Sequence, residues 1–286
     1  VVAGSVNGAA FGYLRSILNN LTPTSMLPRA LGISATLNEL TFVLAPVASS
    51  GLGTVSPIYA LLALAVLGAA PALIVPHVET APVDPMPQAD TSVLNPAIAM
   101  WLTCAAAGSA TIASIEIGAV ALALRFGYPP ALAIVFTVPL CLASVAGGIW
   151  VSVRNRAASR RTVIGLLAVM TGGAGLAACQ LSLMSTIMGA VLAGLVLAPL
   201  ATHYSLVLDR LAPPRKRAEV FALLRTASAV GVIFASAVLT ATSLSATLAV
   251  VAVLMFAVTA TIAAASAVFS QQVTFTSGMD LRKSAH

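Results

Sequence analysis

The sequence predicts an all-α integral membrane protein, and three observations predict it: composition, the length of the apolar runs and the placement of the charges. Of 286 residues, 59% are apolar and 8% charged, and the mean hydropathy is +1.02. A soluble domain carries roughly 45–50% apolar and about 25% charged residues. The 14 basic and 8 acidic groups therefore cannot cover a water-facing surface, which excludes an ordinary soluble enzyme and a disordered chain. The apolar residues come in unbroken runs of Ala, Leu and Val. A membrane β-barrel would alternate apolar with polar positions, so helices of ~20 residues, each crossing a ~30 Å hydrocarbon core, are expected.

Residues 1–18 are apolar until Arg15 and read as the end of a helix; 19–29 form a polar turn with Pro23 and Pro28. Residues 30–52 are a full span, and Pro57 opens another over 58–76. Residues 77–94 carry Pro82, Pro85, Pro87, Glu79, Asp84 and Asp90 but no Lys or Arg, the composition of a linker between two bundles. Spans at 95–124 and 131–153 flank the turn Gly127-Tyr128-Pro129-Pro130. The apolar stretch 162–206 is roughly twice the hydrocarbon thickness at 1.5 Å per residue. It is expected to split at its polar break near Gln180 and Ser182. Residues 208–217 form a basic loop, and 218–240 and 247–270 are the last two spans. The predicted organisation is an incomplete bundle (1–76), a linker (77–94), a six-helix bundle (95–270) and a tail (271–286), with eight full transmembrane helices plus one partial.

The charges test this segmentation. Alternating sides place Arg15, Arg29, Arg154, Arg156, Arg160, Arg161, Arg210, Arg215, Lys216, Arg217, Arg282 and Lys283 together, against Arg125 alone on the other side; Arg225 falls within a span. One missed helix would scramble that asymmetry, which marks the basic side, the linker and the C-terminus as cytoplasmic. It also accounts for the net charge of +6 without nucleic acid. The spacing between Arg29-Ala30 and Arg217-Ala218 sets residues 1–18 against 189–206 and 58–76 against the final span. Three helices before the linker thus match the last three after it, and about three and a half further helices are expected to precede Val1 if the halves were once alike.

Several motifs carry no chemistry. Cys104, Cys141 and Cys179 are isolated in apolar runs, as packing residues are. Lys216 and Lys283 are the only lysines, and neither follows Gly as a nucleotide-binding loop requires. No metalloprotease or serine-hydrolase motif, and no dinucleotide fingerprint in convincing context, is present. No enzyme activity, cofactor or metal is implied. Trp101 and Trp150 stand toward span ends, as interface anchors do.

Two six-helix halves, a polar central linker and an arginine-rich loop between the second and third helices of a half resemble the major facilitator superfamily. The fifth helix of that family carries Gly-x-x-x-Gly-Pro-x-x-Gly-Gly. Here Thr41-Phe-Val-Leu-Ala45-Pro46-Val-Ala-Ser49-Ser50 keeps the proline and replaces each glycine with another small residue. Thr36-Leu-Asn38-Glu39 resembles the acid-bearing fifth helix of bacterial drug-efflux-like members, and Ser114-Ile-Glu116-Ile-Gly118 with Arg125-Phe-Gly127 resembles their seventh. Gly147-Gly148 leading to Arg154, Arg156, Arg160 and Arg161 is similar to the family's Gly/Arg loop without its usual Asp. The resemblance implies helices 4–12 of twelve, and those four arginines as a cytoplasmic gating loop.

Glu39 lies about ten residues into its span, where a carboxylate costs several kcal/mol unless protonated or paired. Desolvation there favours the protonated form and suits reversible proton binding; a structural hydrogen bond to a neighbouring helix is the alternative. Asn38 stands beside it. Glu116, in the outer third of its helix, is the second candidate for proton coupling. Arg225 is expected at a depth similar to Glu39, where it would bind an anionic substrate, hold Glu39 charged or snorkel to the surface. Pro46, Pro139 and Pro199 are expected to interrupt helices near mid-span and serve as hinges. The leading expectation is a secondary transporter in the plasma (inner) membrane, exporting a small, partly apolar molecule in exchange for protons. A membrane subunit of an ATP-driven permease and an inactive fragment are the rivals.

Overall fold

A backbone in hydrocarbon must satisfy its own N–H and C=O groups, and these apolar runs do so as helices. A computed structural model describes residues 13–15, 17–18, 21–23, 25–74, 95–156, 158–213 and 216–283. After helical residues at 13–15 and 17–18 come α1 (Leu27–Val55), α2 (Pro57–Ile74), α3 (Pro96–Arg125), a 3₁₀ turn (Pro130–Ala133), α4 (Ile134–Arg154), α5 (Arg160–Cys179), α6 (Leu183–Leu211), α7 (Arg217–Ala241) and α8 (Leu244–Lys283). Among the described residues there is no strand. Among the described residues six helices, α3 to α8, are long and apolar enough to cross a membrane. The expected linker at 77–94 lies outside the described residues.

The boundaries follow local chemistry. Asn95 caps α3 by accepting from Ala97 N, and Pro96 occupies the first turn, where its missing N–H costs nothing. Gly127 takes a positive φ of 79° and turns the chain toward α4. The long 162–206 run divides at its polar break: Gln180 ends α5 in the left-handed region. Ser182 then starts α6 with a capping box in which the Ser182 and Ser185 side chains each bond the other's backbone N–H. The second basic loop is shorter than expected. Residues 208–211 continue α6, because Leu208 is fully buried in the core. The helix of the final span likewise runs on through Lys283 across the stretch expected as a tail.

The centre of the bundle is the packing of α4 on α6, of α3 on α7 and of α5 on α6, with α8 against α3 and α5. One cluster that includes Leu122, Phe136, Leu140, Leu200, Leu208 and Phe221 fills the space between them. Antiparallel neighbours put the start of α1, the end of α4, the start of α5, the end of α6 and the start of α7 at one end, where the arginines concentrate. We call this the basic end. Several polar contacts tie it together. Asp209 on α6 meets Arg217 on α7 at 3.6 Å, and Arg160 Nη2 donates to the Ala265 carbonyl of α8. At the opposite end Ser245 donates to Gln180 Oε1.

Helix α1 packs on α2, α4 and α6. A Cβ on Gly32 would stand 2.8 Å from Ser152 Oγ, and one on Gly148 would fall on Thr36 Oγ1. That antiparallel register sets residue 39 level with Val145, near the middle of α4. The described side chains of α1 from Leu27 to Thr36 are mostly buried or half-buried, apart from Arg29 and Ile33, and those from Leu37 onward are exposed. The first ten residues of the helix are thus docked near the basic end.

Candidate functional site

The docking of α1 is the place where two parts of the molecule meet through polar side chains. Arg15, from the helical residues before α1, is only 8% exposed. Its Nη2 donates to Ser205 Oγ on α6 at 2.7 Å, and its Nη1 donates to Ser34 Oγ on α1 at 3.3 Å. Ser205 Oγ in turn donates to the Ala201 carbonyl of its own helix. Arg15 Nε is buried without a hydrogen-bond partner. Among the described residues, then, these hydrogen bonds of a buried cation go to neutral hydroxyls, a costly arrangement that three separate segments have to assemble.

Asn155 makes the second polar fastening. It ends α4 in the left-handed region with φ 42°, a conformation Asn tolerates better than most residues. Its amide then reaches both sides of the entry to α1. Nδ2 donates to the Ser25 carbonyl and Oδ1 accepts from Arg29 N, each at 3.0 Å. Beneath these contacts Trp101, His203 and Tyr204 pack together, with Trp101 and His203 edge to face at 5.1 Å between centroids.

The residues singled out from sequence are spread along this frame. Residue 39 lies on α1, just beyond the docked segment, and Asn38 is exposed. Glu116 is exposed on the far part of α3. Arg225 is half-buried on α7. A Cβ on Gly231 would meet the Ala106 carbonyl, and Ala235 clusters with Ala110. Parallel register then puts Arg225 level with Met100, and Glu116 about 24 Å away along the axis. Through Trp101 and His203, Arg225 lies roughly 10 Å nearer the basic end than residue 39. The expectation of equal depth fails, because position along a helix does not reveal how far that helix is shifted against its neighbours. Glu116 and Arg225 thus stand far apart along the bundle axis, and the side chain of residue 39 lies outside the described ones.

None of the three prolines breaks its helix: α1 runs through Pro46, α4 through Pro139 and α6 through Pro199. A proline removes one i→i−4 hydrogen bond, and the remaining bonds carry the helix past it. Pro139 is six residues into α4, toward the end away from the arginines, while Pro199 is buried beside Gly147. Of the four loop arginines, Arg154 lies over the Trp150 ring at 5.1 Å and Arg160 reaches α8; Arg156 and Arg161 are exposed.

Sequence reasoning missed Arg15, Ser34, Ser205 and Asn155 as site residues. In the sequence Arg15 reads as a marker of the basic side, although its place inside an apolar run is a signal of burial. No group of three or more metal-ligating side chains occurs among the described residues. Residues 1–236 match the family model described as Major Facilitator Superfamily. No curated protein matches the chain.

Proposed function

The chain belongs to the major facilitator superfamily, and from that premise we propose that it is a secondary active transporter exporting a small, partly apolar molecule in exchange for protons. Membership and the apolar helices make it a membrane transporter of small molecules; the coupling and the direction are our reading. The observation that carries it is the docking of the start of α1 on α4 and α6, with the buried Arg15 between. A helix whose first ten residues are held by Arg15, Asn155 and close packing on α4 and α6, and whose described side chains from Leu37 onward are exposed, is suited to separating from those helices. Alternating access needs such a joint.

Glu39 follows that joint at the level of mid-α4. As the joint opens and closes, its surroundings change between wet and dry, and the proton affinity of a carboxylate rises with desolvation. Glu39 is therefore the proposed coupling group and Glu116 the second candidate, with Arg225 and Asn38 as proposed cavity residues. Pro46, Pro139 and Pro199 are proposed points of bending within continuous helices. In proteoliposomes, Glu39→Gln should abolish accumulation driven by a pH gradient while substrate equilibration and the melting temperature are retained. If Glu39→Gln keeps full pH-driven accumulation and Glu116→Gln loses it, the role moves to α3.

The basic end and the C-terminus are proposed to face the cytoplasm of a plasma (inner) membrane, following the positive-inside bias. With the three native cysteines replaced, Arg156→Cys should react with an impermeant maleimide only after permeabilisation. Tyr128→Cys, on the opposite turn, should react on intact cells. The reverse pattern would invert the orientation.

A further inference from the structure

We draw no further inference here: the strongest candidate, the cavity of about 140 Å³ between the end of α4, the start of α5 and the last third of α6, which Trp150, Leu166, Pro199 and His203 line, carries nothing because no feature of the structure shows what fills it.

Discussion

Gly147→Val and Gly194→Val, made separately, should each lower the unfolding midpoint of the purified chain by something of the order of 5–10 °C. The two glycines mark a backbone-to-backbone contact between α4 and α6. A Cβ at residue 147 would land on the Leu195 carbonyl oxygen, and one at residue 194 on the Leu140 carbonyl oxygen. Neither obstacle is a side chain that can rotate away, so α4 and α6 must move apart. Without a hydrophobic drive between helices in lipid, close packing of backbones carries much of the association, and overpacking costs about 1–3 kcal/mol or more per site. Val153 and Leu181, at 80% and 82% exposure, provide the comparison: Val153→Ala and Leu181→Val should stay within about 0.5 kcal/mol of the parent. A thiol-reactive dye reporting on buried Cys104, with Cys141 and Cys179 replaced, follows the transition. Equal midpoints for Gly147→Val and Val153→Ala would mean that the α4–α6 backbones do not touch.

Arg15→Met and Ser205→Ala should shift the α1 joint in opposite directions. Closing the joint removes the guanidinium from water, at a cost of several kcal/mol. The return is two hydrogen bonds from a charged donor, each about 1.5–3 kcal/mol. The opposing terms nearly cancel, which is what a joint that opens and closes requires. Methionine removes the desolvation cost while filling similar space, and Ser205 keeps its bond to the Ala201 carbonyl; Arg15→Met therefore favours the docked state. Ser205→Ala keeps the buried cation and removes its shorter hydrogen bond, so the docked state should lose about tenfold in population or more. Spin labels at residues 37 and 149 would show a narrowed distance distribution for the first variant and a longer component for the second. A shift in the same direction for both would reduce Arg15 to a packing residue.

Most of the helical frame was readable from the chain because it rests on local physics. Run length against bilayer thickness located α3, α4 and α7 to within a few residues. The Gln180–Ser182 break was legible because a left-handed residue followed by a serine cap ends one helix and starts another. What could not be read was anything set by the shift of one helix against another. The burial of Arg15 depends on Ser34 and Ser205 arriving from elsewhere, and its distance from them in sequence hides this. Arg225 looked as deep as Glu39 until the contact of Gly231 with Ala106 fixed its level. The prolines were read as interruptions from composition, whereas helix continuity at Pro139 and Pro199 is decided by the remaining backbone bonds.

The carbonyl contacts of Gly147, Gly194 and Gly231 also bear on how this gene can change over generations. From a glycine codon, every single-base replacement that alters the residue introduces an amino acid with a Cβ, so no mild step exists at these three positions. A leucine or valine facing lipid has several one-base neighbours of nearly equal fitness for hydrocarbon. Drift is thus channelled outward: the bilayer-facing shell is free to diverge, while the lines along which the helices touch stay locked by geometry. Two descendants of this chain could lose most of their visible likeness on the outside and still superimpose at the α4–α6 and α3–α7 seams.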